Sequence, residues 1–98
     1  MGDARKRIKG WPAETRREAG YELFRIQTGH LPTDWKPVKQ IGAGVREIRL
    51  RSRGEYRIMY VLWHGNKIYV LHAFQKKTQK TPVSEIERAR RRFKTLVR

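Results

Sequence analysis

Residues 45–80, VREIRLRSRGEYRIMYVLWHGNKIYVLHAFQKKTQK, decide how this chain is read. Three runs rich in β-branched and aromatic residues, 45–51, 55–63 and 67–75, are separated by two turn signals, which predicts an antiparallel meander. Ser52-Arg53-Gly54 and His64-Gly65-Asn66 are the turns, with Gly54 and Gly65 able to take the positive φ of a tight hairpin. Alternation then sorts the side chains. Ile48 and Leu50 point one way in the first strand, and Glu47, Arg49 and Arg51 the other. In the second, Tyr56, Ile58, Tyr60 and Leu62 oppose Arg57, Met59, Val61 and Trp63. The reading puts Ile48, Leu50, Ile58 and Leu62 against helices and lets Arg49, Arg51 and Arg57 converge on an open face.

Working outward, Asp3 is placed to cap a short helix that runs to about Lys9 and stops at Gly10 and Trp11-Pro12. Pro12 suits the first turn of a second helix. Its apolar stripe is Ala19, Leu23 and Ile26, with Glu22 off it, and Gly29 ends it. Residues 30–44 hold Pro32, Pro37, Gly42 and Gly44 and read as a loop pinned to the core by Leu31, Trp35 and Val38. Beyond the meander, Thr81-Pro82 introduces a last helix, where Ser84 and Glu87 have capping-box spacing. Ile86, Ala89, Phe93 and Leu96 form its buried stripe; Arg88, Arg90, Arg91, Arg92 and Lys94 make the rest cationic. The fold class is therefore α+β: a small antiparallel sheet packed against two N-terminal helices, with a C-terminal helix, in a single domain spanning 1–98.

Composition narrows the partners. The chain has 24 Lys and Arg against 9 Asp and Glu, a net charge of +15 in 98 residues. So large an excess calls for a polyanion, nucleic acid before an anionic membrane surface. No apolar run approaches a membrane span, and the basic start has no apolar segment behind it, so a cytoplasmic protein is expected. Without cysteine there is no disulfide, thiolate nucleophile or thiolate metal site. With histidine only at 30, 64 and 72, neither metal nor cofactor is expected. His72 reads as a hydrogen-bonded imidazole on a sheet face, with catalysis as its alternative. Residues 41–45, IGAGV, lack the lysine of a phosphate loop.

What remains is a concentration of cations: Arg46, Arg49, Arg51, Arg53 and Arg57 on the first two strands, then Lys76, Lys77 and Lys80. Arg57 stands out, because a charge in mid-strand needs either a partner or an open groove, and Glu47 is the partner at hand. In RNA cleavage the 2′-hydroxyl loses a proton and attacks phosphorus while negative charge grows on the phosphoryl and leaving oxygens. Guanidinium and ammonium groups stabilise that charge. A lysine crowded by cations also gives up its proton more readily, which would fit Lys76, Lys77 or Lys80 for acid or base work.

REIRLRSRGEYRIMYV followed by IYVLHAFQKKTQKTP resembles the RelE/HigB superfamily of toxin endoribonucleases, in its phage-derived HigB-like branch with an FQKKTxKTP motif. The likeness extends from about Asp3 to Phe93 and includes Trp11-Pro12 and the D-W-K-P run at 34–37. It implies a RelE-like microbial ribonuclease fold and metal-independent cleavage of mRNA, in many members on the ribosome. It also implies a helix-turn-helix antitoxin of the HigA type as partner. By position, Arg57 matches the family's catalytic arginine, and Lys76 and Lys77 fall where relatives carry an essential basic residue. Arg46, Arg49, Arg51 and Lys80 are the RNA-binding candidates. Members begin with a strand ahead of the first helix, and this sequence starts just past it: either the protein begins further upstream or this version lacks the strand. Two other readings stay open: a non-catalytic RNA- or ribosome-binding module, and a basic face that receives an acidic protein segment.

Overall fold

The computed structural model describes residues 3–65 and 67–97. Its elements in chain order are α1 (Ala4–Lys9), α2 (Ala13–Gln27), β1 (Trp35–Pro37), β2 (Arg46–Leu50), β3 (Tyr56–Trp63), β4 (Lys67–Gln75) and α3 (Val83–Val97). The expected meander is β2, β3 and β4, all antiparallel, within a sheet of order β1-β2-β3-β4. Gly54 and Gly65 take positive φ, as does His64 at 51°; Asn66, the third residue of that turn, lies outside the described residues.

The stretch read as a loop contributes the fourth strand. Trp35, Lys36 and Pro37 pair with Ile48, Glu47 and Arg46, and residues 38–45 close the hairpin through bonds such as Val38 N–H to the Val45 carbonyl. Three residues ending in proline carry too little pattern to announce a strand, and proline is tolerated here because β1 is an edge. Val38 is buried as expected, whereas Leu31 is 47% exposed. Among the described residues no strand precedes α1.

Two cores sandwich the sheet. On one face Ile48, Leu50, Tyr56, Ile58, Tyr60 and Ala73 pack against Ala4, Ala19 and Ile26 of α1 and α2. Fully burying an Ile or Leu stabilises the fold by about 1.5–3 kcal/mol. Ile48, Leu50 and Ile58, all with zero exposure, anchor this layer. The second face is not open. Met59, Val61, Leu71 and Phe74 meet Ala89 of α3 and Val38, Ile41 and Val45 of the loop, with Ile86, Phe93 and Leu96 packed around them. Gly42 lies so close to α3 that a Cβ there would come 2.2 Å from the Phe93 ring.

A bulge explains why the second face is richer than alternation allows. The register slips between Met59 and Tyr60: Met59 faces His72 and Tyr60 faces Val70, leaving Leu71 without a partner. Leu71 and His72, although consecutive, can then both serve the α3 side, which is what a bulge does to a strand. Two local expectations change as well. Asp3 occupies the position before α1, but its carboxylate accepts from the side chains of Arg7 and Arg92 and not from a helix N–H. Ser84 lies inside the first turn of α3, whose Glu85 and Ile86 N–H groups bond to the Pro82 carbonyl.

Candidate nucleic-acid interface

Arg57 sits in the middle of β3, cross-strand from Arg49 on one side and Phe74 on the other. It is 4% exposed, and Glu47 beside it is 2% exposed. Its Nε lies 3.4 Å from the Glu47 carboxylate, Nη2 donates to Glu55 at 2.8 Å, and Nη1 donates to the Tyr56 carbonyl. A buried guanidinium is tolerable only when so surrounded. The pairing with Glu47 anticipated from the strand pattern is thus present, joined by Glu55. Arg57 does not open onto a free face; it forms the floor of a charged layer.

The accessible cations lie around that floor. Arg49, 28% exposed, reaches Asp34 at 3.8 Å and Glu47 at 4.0 Å, and Lys36 reaches Glu47 at 3.9 Å. Arg51, 57% exposed, lies 3.5 Å from Asp34 and 3.6 Å from Glu55. Backbone contacts hold these positions: Arg49 N–H bonds to the Asp34 carbonyl, and Glu18 of α2 accepts from the N–H groups of Arg51 and Ser52. Lys76 joins them, since its N–H bonds to the Glu55 carbonyl at 2.7 Å. Arg57 above all, then Arg51 and Lys76, hold the Glu55 carboxyl below its usual range. Four cations (Lys36, Arg49, Arg51, Arg57) are ion-paired with three carboxylates (Asp34, Glu47, Glu55), so the layer keeps a surplus of one positive charge. Lys76, acting on Glu55 from further off, is offset by Glu18 on the 51–52 backbone.

Other predicted positions fall elsewhere. Lys77 lines a cleft with Arg7 and Glu85, with Phe74 in its wall. Lys80 is exposed further along, its carbonyl accepting from Thr78. Arg46 pairs with Tyr60, on the opposite face from Arg49 and Arg57, because 46 and 48 share a side of β2. Its guanidinium lies 5.0 Å from the centroid of the Trp35 ring. Arg53, in the turn, reaches Glu14 at 3.8 Å. Asp34, Lys36 and Glu55 belong to the charged layer although only their neighbours had been singled out. The alternation within D-W-K-P was the available signal, but it becomes readable only once 35–37 is known to be a strand.

A second charged cluster is closed. His72 has zero exposure; its Nε2 lies 2.6 Å from Glu85 and its Nδ1 3.0 Å from Arg92 Nη1. Arginine can only donate, so Nδ1 accepts and Nε2–H donates to Glu85, which fixes a neutral tautomer. Burial is the main force holding the imidazole below its usual value, against the pull of Glu85 in the other direction. Arg92 also binds Asp3, Asp3 binds Arg7, and Arg7 lies 3.9 Å from Glu85, which completes a ring. Arg92 and Arg7 further donate to the Leu71 and Ala73 carbonyls of β4. The structural reading of His72 fits this geometry.

Two surface clefts flank β1. One, of about 300 Å³, is lined by Lys36, Val38, Glu47, Met59, Thr81 and Ile86; the other, of about 530 Å³, by Trp35, Arg46 and the backbone of 42–45; Pro37 and Lys39 line both. Among the described residues there is no group of three or more metal-binding side chains, and no helix is long and apolar enough to cross a membrane.

Residues 6–94 match the family model described as Phage derived protein Gp49-like (DUF891). No curated protein gives a significant match.

Proposed function

We propose, from the premise that this chain belongs to the phage-derived Gp49-like family of RelE/HigB-like toxins of toxin–antitoxin systems, that it is an endoribonuclease acting on mRNA at the β2–β3 charged layer. The observation that carries the reading is the cationic surplus around Arg57, with Arg49, Arg51 and Lys76 at its accessible rim. Phosphodiester oxygens are the natural complement of such a surplus.

In this reading Arg49 and Arg51 hold the non-bridging oxygens, and the half-exposed Glu55 carboxylate yields its place on Arg57 Nη2 to the phosphoryl group. Glu47 stays behind as the buried counter-charge. The 2′-hydroxyl gives its proton to solvent water as its oxygen attacks phosphorus; the P–O5′ bond breaks, and the leaving oxygen takes a proton. Lys76 is the candidate donor for that last step, and Lys77 is a second one if the RNA runs past Phe74. Lys80 would meet the backbone beyond. Side-chain cations supply the charge that a metal ion would otherwise bring, so the reaction is metal-independent. An antitoxin is the family's partner; a HigA-like helix-turn-helix protein, action on the ribosome and a cytoplasmic location complete the proposal.

Purified chain incubated with RNA, alone and with ribosomes, tests it. The expected products end in a 2′,3′-cyclic phosphate and a 5′-hydroxyl, and RNA 2′-O-methylated throughout is not cut. Arg49→Ala with Arg51→Ala should abolish cutting in a protein that still melts like the parent. No cleavage under either condition would leave the second reading, a non-catalytic RNA- or ribosome-binding module. One observation favours that alternative: both carboxylate neighbours of Arg57 are already in place.

A further inference from the structure

Trp35 and Arg46 form a stacked pair that the charged layer does not use. The guanidinium lies over the indole at 5.0 Å, and both line the cleft of about 530 Å³ that residues 42–45, Pro37 and Lys39 complete. Arg46 differs from Arg49, Arg51 and Arg57 in one respect: among the described residues no carboxylate lies within ion-pair distance of it. Its charge is therefore uncompensated, while Trp35 remains only partly buried on an edge strand. The cleft is not isolated from the charged layer. Pro37 and Lys39 line it and also line the neighbouring cleft that holds Lys36 and Glu47.

An extended chain leaving the Arg49 and Arg51 rim would pass round the β1 edge, by Lys36 and the Lys39 that follows the strand, and arrive at Trp35 on the other face of the sheet. A polyanion alone would be served by the lysines. A partly exposed indole and a planar guanidinium beside an open cleft suit something flat, because unpaired bases stack on aromatic rings and on arginine planes. We propose that the Trp35–Arg46 cleft receives an unpaired nucleobase of the RNA strand, next to the nucleotides held at the charged layer. The site is thereby a specificity subsite. It rests on the reading of that layer as an RNA-binding surface, but not on cleavage.

The test uses a fully 2′-O-methylated single-stranded RNA of mixed sequence, which binding can read without turnover, and a matched oligonucleotide of equal charge with abasic positions throughout. The indole N–H resonance of Trp35, assigned by its loss in Trp35→Phe, is followed on titration. It should shift with the base-bearing strand and stay nearly still with the abasic one. Trp35→Ala should weaken binding of the base-bearing strand about tenfold, with Trp35→Phe retaining most of the affinity. Arg49→Ala with Arg51→Ala should weaken binding of both strands yet leave the Trp35 shift at saturation. Equal shifts with both strands, a silent Trp35 at saturation, or no binding of either strand would overturn the inference. Should Trp35→Ala fail to fold, the titration of the parent chain still decides. Cleavage of unmodified RNA with a silent Trp35 would sink this subsite and spare the enzyme. A responding Trp35 without cleavage would do the reverse.

Discussion

Two charged clusters occupy the same sheet and are built on opposite plans. Around His72, two arginines and two carboxylates close a ring on a neutral imidazole, and the spare donors go to strand carbonyls. Around Arg57, four cations share three carboxylates, and the partners at the rim are half-exposed. The first arrangement joins α1, β4 and α3, with every charge in the ring matched by an opposite one. The second is held together at its floor and unfinished at its surface.

The sharpest way to break the comparison is Arg57→Ala. Glu47, buried, would lose its nearest cation and keep only Lys36 and Arg49 at 3.9 and 4.0 Å, and removing one partner of a buried pair costs about 3–5 kcal/mol. Urea denaturation should show that loss, so RNA assays on this variant need a folded-fraction control. Glu85→Ala comes next: it deprives the His72 N–H of its acceptor, at about 1–3 kcal/mol. Denaturation should register the loss while RNA affinity per folded molecule stays unchanged. Arg49→Ala with Arg51→Ala should invert that pattern. Partly exposed ion pairs contribute little, so stability should move by less than about 1 kcal/mol. Losing two phosphate contacts should flatten the dependence of log affinity on log salt by about 1.4 for a single strand.

Acidity gives the smallest effect and touches both clusters with one sign. Arg92 first, then Arg7, hold Asp3 at about 2 against an ordinary 3.8. The folded chain then carries fewer protons than the unfolded one between those values, so this contribution is complete above 3.8 and is lost as pH falls toward 2. Glu55, lowered from 4.5 chiefly by Arg57, acts in the same direction below that value. His72, lowered from 6.5 chiefly by burial, begins the decline earlier, because the unfolded chain takes up its proton first as pH drops below 6.5. Urea midpoints should therefore fall steadily from pH 7 to pH 3. A maximum near pH 5 would contradict the neutral, buried imidazole.

The meander was legible because its strands are long and its turns carry glycine, and the helices because their apolar spacing is regular. The charged layer was half legible. Arg49, Arg51 and Arg57 share a face by simple alternation, but part of that face is covered by α3 and by the 38–45 segment, which strand periodicity cannot reveal. Glu22 lay off the predicted stripe and is buried all the same, its carboxylate accepting the Thr33 N–H at 2.7 Å. Local pattern does not show that a loop far along the chain supplies the donor. β1 was hidden by brevity, and with it the Trp35 ring that Arg46 lies over. The bulge at Leu71 left no trace in the residue types around it.

The bare backbone of Gly42 against the Phe93 ring has a mechanical consequence. The segment it belongs to, also tied to α3 where Arg90 grips the Gln40 carbonyl, continues into Lys39 and Pro37, the ridge dividing the two clefts. A single methyl at 42 would be a wedge driven under the C-terminal helix, tilting that ridge without altering any charge. A change at Gly42, which lies in the wall of the Trp35 cleft but away from the charged layer, would thus move one cleft relative to the other.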